Sequence, residues 1–339
     1  MDQQQPAFSE APRQIPVPPI DPVQTARRQI ALTFLSLLFI LGISSVVASV
    51  LAFVLRLRDP EILNRPGALI LLSSLPSYAV SMPLSLLFFR KIPKTPPKKQ
   101  KLAFPSFLGF FCIAMLLTYF GGIFGSIVNS LFGAVSGEVP TNTLDKVAEI
   151  TPLWLQFLFF VVLAPIFEEI FYRKLLFDRL STFGELPAIL ICGILFGLIH
   201  GNFYQFFYAT AAGILFSFVY AKTGNILYTM GLHALLNFSG TILSDWLNNL
   251  TSSESEFLSR AGMLILLLFG ICILLGLAFA VIYWVTKKKK IAFDAGAIPL
   301  EHRQWAAALF GNPGTWILLG VTLLPFFSDL ILPMLTKFF

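Results

Sequence analysis

Between positions 168 and 237, polar residues of the types used in hydrolytic chemistry interrupt stretches that are otherwise apolar. They are Glu168, Glu169, Arg173, His200, His233 and Asn237. An ionisable group inside a lipid-embedded helix costs several kcal/mol, so its presence requires a reason. Two of the three histidines in the chain belong to this set. We therefore expect a catalytic site within the membrane.

Helical spacing separates the two adjacent glutamates. Residues four apart share a helix face, whereas adjacent residues diverge by about 100°. Glu169 and Arg173 are thus expected to form an ion pair, and a purely structural role would account for that pair. Glu168 has no such cation one turn away and precedes Tyr172 by one turn, so we expect the tyrosine hydroxyl to orient it. Glu168 is the better candidate for chemistry.

His200 lies one turn after Phe196, whose ring we expect to pack against the imidazole. A lone histidine at a helix end is more often interfacial than catalytic, and that reading stays open for His200. Gly193 and Gly197 are four residues apart, a spacing that permits close approach of another helix. Such an approach brings His200 within reach of a neighbouring span.

His233 and Asn237 are also one turn apart and therefore share a face. Two such side chains in an apolar helix are able to address the same ligand atom. The alternative is an interhelical hydrogen-bond pair that only holds the helices together.

The composition is that of a membrane protein. Of 339 residues, 56% are apolar and 12% are charged, against about 25% charged residues in a soluble domain. The net charge of +6 comes mainly from cations beside apolar runs, so we expect no nucleic-acid partner. Cys112, Cys192 and Cys272 lie in separate apolar runs and predict neither a disulfide nor a zinc framework.

Apolar runs long enough to span a membrane, or nearly so, organise the chain. They cover residues 31–55, 67–89, 106–132, 152–177, 186–201, 203–221, 226–243, 261–286 and 314–335. We predict an all-α polytopic membrane protein, a bundle of about eight to nine transmembrane helices around an intramembrane polar cavity. The predicted divisions are a disordered cytosolic tail (1–28), N-terminal helices (29–135), a catalytic core (150–245) and C-terminal helices (255–339).

Loop charges predict the orientation. The loop at 90–105 contains six Lys and Arg residues and no acid, so it is expected on the cytosolic side together with the N-terminus. The short chain fits a bacterial cell membrane best.

Three motifs resemble those of the CAAX protease and bacteriocin-processing (CPBP, or ABI) family of intramembrane endopeptidases, which includes the type II CAAX prenyl proteases. EExxxR is present at 168–173, FxxxH at 196–200 and HxxxN at 233–237. Each motif is weak alone, but all three occur in order within about 70 residues. The resemblance covers roughly residues 150–245.

The resemblance implies a role for each matching residue. Glu168 acts as general base together with His200 on a water molecule, and His233 and Asn237 stabilise the oxyanion. Glu169 and Arg173 support them. The substrate class implied is a peptide or lipid-modified protein within membrane lipid, and the favoured mechanism needs no cofactor. The rival is a zinc site formed by Glu168, His200 and His233, although the HExxH signature of zinc proteases is absent.

Two other functions stay open. One is a non-catalytic immunity factor or scaffold of the same family, and the other is a small-solute transporter that uses the buried charges as a proton relay. The absence of matched internal repeats argues against the transporter.

The predicted spans also raise a question of depth. They place Glu168 and His233 toward the cytosolic side and His200 nearer the outer side. The fifth helix is therefore expected to tilt strongly or to begin later than residue 186.

Overall fold

Helices make up nearly all of the chain that the computed structural model describes, namely residues 21–137, 139, 142, 147–287 and 291–335. In chain order they are α1 (Pro22–Arg58), α2 (Ala68–Phe89), α3 (Phe104–Ser136), α4 (Leu153–Phe183), α5 (Glu185–Leu198), α6 (Phe203–Thr223), α7 (Ile226–Thr251), α8 (Glu256–Lys287), α9 (His302–Phe310) and α10 (Pro313–Leu335). No strand occurs in these ranges.

Seven of the described helices are long and apolar enough to cross a membrane, and α9 with α10 adds an eighth if that bent pair counts as one span. The bend between α9 and α10 is 68°. The predicted fifth run is the 14-residue helix α5, which is too short to be counted as a span. The prediction of an all-helical, multi-pass integral membrane protein is confirmed, with seven to eight spans against the eight to nine expected.

Two helix ends differ from the predicted boundaries. α1 begins at Pro22 with Asp21 as its N-cap, so the end of the expected tail (1–28) is helical, whereas residues 1–20 lie outside the described chain. Asp21 accepts hydrogen bonds from the backbone N–H groups of residues 23 and 24, which explains the early start. α4 continues to Phe183, six residues past the predicted end of the fourth run.

α6 lies at the centre of the bundle and packs against α3 and α5. Its crossing with α5 is close because glycines line it. A Cβ atom added at Gly193 would lie 2.7 Å from the backbone nitrogen of Ile214, and one added at Gly197 would lie 2.7 Å from the carbonyl oxygen of Phe206. The close approach expected from the glycine spacing is confirmed.

α4 departs from regular α-helical geometry on both sides of the two glutamates. It widens to π-helical geometry over Phe157–Leu163 and again over Ile170–Phe177, with an ordinary α-helical turn at Ala164–Glu169 between them. Pro165 lies in that turn, and a proline inside a helix lacks the N–H that the preceding turn requires. The widened geometry upstream absorbs this interruption.

The crossing of α3 and α8 can be tested by oxidation. Cys112 on α3 and Cys272 on α8 have Sγ atoms 3.4 Å apart, and a disulfide requires a separation of about 2.05 Å. We expect copper–phenanthroline to link these two residues within one chain and to leave Cys192, which is buried in α5, as a free thiol. Peptide mass spectrometry with and without reductant measures the link, and Cys272→Ser is the control. No link, or a link through Cys192, would contradict the packing of α3 on α8.

Candidate active site

The hairpin of α4 and α5 sets the depth of the site. Glu168 and His200 each lie sixteen residues from Gly184, which joins the two helices with a φ of 142°. α5 begins at Glu185, one residue earlier than expected, so the predicted later start is wrong. Instead, α4 extends to Phe183, so Glu168 lies farther from the end of α4 than predicted and at the same depth as His200.

Local hydrogen bonds fix the His200 ring and backbone. The amide of Asn202, which caps α6, donates to the His200 carbonyl oxygen at 2.8 Å. Nδ1 of His200 lies 2.7 Å from the carbonyl oxygen of Phe196. A carbonyl only accepts, so Nδ1 is the donor and Nε2 carries the lone pair of the neutral ring. His200 thus has one nitrogen free for chemistry.

All four predicted catalytic residues line one cavity of about 420 Å³, here called the site cavity: Glu168, His200, His233 and Asn237. A second cavity of about 410 Å³, the side cavity, extends toward α1 and α2. The two share five lining residues, namely Ser74, Tyr78, Glu168, His200 and Gln205. Glu168 and His200 therefore face the space that connects both cavities.

A chain of contacts runs from Arg173 through Glu169 to His233. Nε of Arg173 lies 3.0 Å from Oε2 of Glu169, and both side chains are fully buried. Oε1 of the same glutamate lies 3.1 Å from Nδ1 of His233. The predicted ion pair is therefore present. The contact to His233 was not predicted, because spacing along one helix says nothing about a residue on another.

The two glutamates have different surroundings, as the 100° separation predicts. Glu169 is fully buried between Arg173 and His233, whereas the Glu168 side chain is 28% exposed to the cavities. Oε2 of Glu168 lies 3.9 Å from Nε2 of His233, beyond hydrogen-bond distance. His233 thus directs one ring nitrogen to each glutamate, and only Glu168 is open to a reactant.

Aromatic rings enclose the charged groups. Phe196 makes edge contacts with the rings of Tyr172, His200 and His233, with centroid separations of 5.0, 5.3 and 5.5 Å. The guanidinium of Arg173 also lies over the Phe196 ring at 5.5 Å. The expected contact between Phe196 and His200 is confirmed. Tyr172 lines the side cavity with Glu168, but the described contacts include no hydrogen bond between them, so its expected orienting role is not seen.

Asn237 compensates for the interruption in α4. In the widened stretch, the Ala164 N–H reaches back five residues to the Phe159 carbonyl. If that five-residue spacing continued, the N–H of residue 165 would donate to the Phe160 carbonyl. Residue 165 is a proline and has no N–H, so the Phe160 carbonyl lacks its helical partner. The Asn237 amide donates to that carbonyl at 2.8 Å. Because a side-chain amide carries two N–H groups, one is left for the site cavity that Asn237 also lines.

The zinc ligands proposed from the sequence do not fit a metal ion. Glu168, His200 and His233 line one cavity, yet within the described ranges no three His, Cys, Asp or Glu side chains converge as a metal-binding group. A zinc site needs ligand atoms about 2.0–2.3 Å from one point.

Two residues on other helices complete the cavities and were missed by sequence reasoning. Tyr78, on α2, stacks on the ring of Phe167 with centroids 4.6 Å apart and planes at 5°. Gln205, in the first turn of α6, hydrogen-bonds to Asn202 at 2.9 Å. Neither lies in a motif. A tyrosine in an apolar span beside several serines was the only available signal.

The different surroundings of the glutamates predict that changes at the buried pair destabilise the protein and that a change at Glu168 does not. Arg173→Met leaves the buried Glu169 carboxylate without its cation, and breaking a buried ion pair costs about 3–5 kcal/mol. We expect a large fall in unfolding temperature for Arg173→Met and partial recovery in Glu169→Gln/Arg173→Met. Glu168→Gln should unfold close to the wild type. Thermal unfolding in one detergent measures all four proteins, and equal stability of Arg173→Met and wild type would contradict the role of the pair.

Comparison with known proteins gives matches over the segment that contains these residues. Residues 150–239 match the family described as Rce1-like, type II CAAX prenyl endopeptidase Rce1-like. A curated protein described as putative membrane peptidase YdiL, from Bacillus subtilis (strain 168), is 29% identical over 182 residues, which span 53% of this chain and 72% of that protein. No solved structure matches the chain. The segment that holds all three motifs thus matches the Rce1-like type II CAAX prenyl endopeptidase family, which confirms the resemblance seen in the sequence.

Proposed function

We propose that the protein is a glutamate-dependent intramembrane endopeptidase that hydrolyses a peptide bond of a membrane-associated substrate. The observation that carries the proposal is the site cavity, where Glu168, His200, His233 and Asn237 converge within the apolar bundle. Hydrolysis needs water, and polar groups at this depth are tolerated only where they line a cavity or contact other protein groups. The match to a membrane peptidase family supports the same reaction.

In the proposed mechanism, Glu168 and His200 activate the attacking water. Glu168 is the carboxylate open to the cavity, and His200 presents the lone pair of Nε2 because Nδ1 donates to Phe196. A base positioned within hydrogen-bond reach of a water typically contributes about 10²–10⁴ in rate. Glu168 takes the proton as the water attacks the carbonyl carbon and later returns it to the leaving amine.

His233 and Asn237 are the proposed oxyanion donors. Nε2 of His233 faces the cavity because Nδ1 is held by Glu169. Donation from Nε2 requires a proton there, so the ring acts with both nitrogens protonated and with Glu169 compensating its charge. Asn237 contributes the N–H that is not bonded to Phe160. Donors fixed before the reaction stabilise the developing charge without reorganisation.

The proposed substrate is a peptide or lipid-modified protein that reaches the site from the lipid. The side cavity supports this route, since it combines apolar side chains from α1 with hydroxyl groups from α2: Leu37, Ile40 and Leu41 on one wall, and Ser73, Ser74, Ser77 and Tyr78 on the other. Hydroxyl groups supply partners for the peptide backbone, which must stay hydrogen-bonded in an apolar medium. We further propose a bacterial cell membrane as the location, with a cytosolic N-terminus.

A non-catalytic immunity factor or scaffold is the second candidate, and a transporter is the third. An immunity factor or scaffold would keep its phenotype when Glu168 is replaced. A transporter would show substrate-dependent proton uptake in vesicles. The convergence of His200, His233 and Asn237 on the cavity that Glu168 faces favours hydrolysis over both.

Loss of the base is the direct test. Glu168→Gln keeps the shape of the side chain but removes its basicity, so peptide cleavage in proteoliposomes should fall about 10²–10⁴-fold. The matched control is Glu256→Gln, an exposed glutamate at the start of α8 that should leave cleavage unchanged. Mass spectrometry of a library of prenylated and unmodified peptides detects the new termini. Wild-type cleavage by Glu168→Gln would eliminate the proposed mechanism.

Metal dependence gives a separate test. Since the side chains do not converge as zinc ligands, we expect full activity after dialysis against EDTA and 1,10-phenanthroline. Elemental analysis of the purified protein should find zinc well below one atom per chain. Activity that is lost on chelation and restored by zinc would instead favour the ligand set Glu168, His200 and His233.

A further inference from the structure

A groove on the outside of the bundle shares none of its lining residues with the side cavity. It is formed where the first turns of α1 and the last turns of α2 diverge, and its volume is about 760 Å³. Its lining is Arg28, Leu32, Ser36, Leu87, Phe88, Arg90, Lys91 and Ile92. We propose that this groove is a binding site for one anionic phospholipid.

The charges of the groove have one sign. Arg28, Arg90 and Lys91 are exposed, and the described contacts give none of the three an ion pair or a side-chain hydrogen bond. The lining contains no Asp or Glu. Nearby Arg27 differs, because it donates to the Ala307 carbonyl of α9. Three unpaired cations around one concavity fit a phosphodiester, which accepts several hydrogen bonds at once.

The rest of the groove is apolar and suits an acyl chain. Leu32, Leu87 and Phe88 are exposed along it. The hydroxyl of Ser36 donates to the Leu32 carbonyl, so it presents no unsatisfied donor to hydrocarbon. A free phosphate would use only the cationic end of this surface. A phospholipid uses both ends.

The groove is held open by contacts beneath it. Gln29, adjacent to Arg28 but buried, donates to the Pro93 carbonyl at 2.8 Å and to the Arg179 carbonyl at 3.4 Å. Arg179 in turn donates to the Phe89 carbonyl at the end of α2. These bonds fix the spacing between Arg28 on α1 and the cations that follow α2, so the cationic end exists before a lipid arrives.

Cations at the cytosolic end of a span also set the orientation of the protein in the membrane. The experiment must therefore separate this general role from binding of a lipid in the groove. The two matched variants each remove three positive charges. Arg28→Gln/Arg90→Gln/Lys91→Gln removes three charges from the groove, whereas Lys98→Gln/Lys99→Gln/Lys101→Gln removes three charges outside it. The full chain in nanodiscs or detergent is titrated with phosphatidylglycerol and phosphatidylcholine, and bound lipid is counted by native mass spectrometry.

We expect one phosphatidylglycerol to bind with clear preference over phosphatidylcholine. The groove variant should weaken that binding at least about tenfold, since it removes the three cations that attract the anionic headgroup. The variant at Lys98, Lys99 and Lys101 should change it less than about twofold. Leu87→Trp, which fills the apolar part at constant charge, should also weaken binding. Inorganic phosphate and glycerol 3-phosphate should not displace the lipid.

Each contrary result overturns the proposal. Equal losses in both triple variants would mean diffuse attraction to the protein surface and no site. No loss in the groove variant, or no preference between the two lipids, would exclude the groove. Displacement of the lipid by inorganic phosphate at comparable concentration would identify an anion site without a lipid requirement. Unfolding temperatures of all variants exclude misfolding as the cause of a loss.

Discussion

The structure of the site depends on a fully buried charge, the guanidinium of Arg173 in an apolar bundle. An unpaired ion there would cost several kcal/mol. Glu169 one turn away compensates it at 3.0 Å, and the rings of Tyr172, Phe196 and Phe216 surround it at 5.5–5.9 Å. Because the second oxygen of Glu169 then meets Nδ1 of His233, the same compensation orients a histidine on another helix.

This arrangement gives two adjacent identical side chains different surroundings. Glu169 faces the cation and stays within the protein, whereas Glu168, rotated by about 100°, faces the cavities. His233 lies between them and directs one nitrogen to each. A carboxylate in an apolar, partly solvated cavity is suited to accept a proton from water, and a carboxylate already paired with a guanidinium is not. Helical geometry alone therefore separates the proposed base, Glu168, from the glutamate proposed to support it.

Much of this could be predicted from the sequence, because it depends on local spacing. The separation of Glu168 from Glu169, the glycine-lined crossing at Gly193 and Gly197 and the grouping of the motif residues follow from residues one turn apart or from their order along the chain. The long apolar runs likewise predicted the membrane spans, with errors at the ends where a cap such as Asp21 extends a helix.

The features that were missed all depend on tertiary contacts or on helix register. Asn237 bonds to the Phe160 carbonyl because the π-helical stretch before Pro165 leaves that carbonyl without a helical donor, and the proline alone does not reveal this stretch. Tyr78 reaches the cavities from a helix outside the matched family segment. The depth of His200 relative to Glu168 was misjudged because α4 extends to Phe183, which no apolar pattern marked.

The central claim is that Glu168 delivers water directly to a peptide carbonyl. Single-turnover cleavage in water enriched in ¹⁸O tests it, with the product and the Glu168 peptide both analysed by mass spectrometry. The account predicts one ¹⁸O atom in the new carboxyl terminus and none in Glu168. Label in the Glu168 carboxylate after one turnover would reveal a covalent acyl intermediate and would contradict the account.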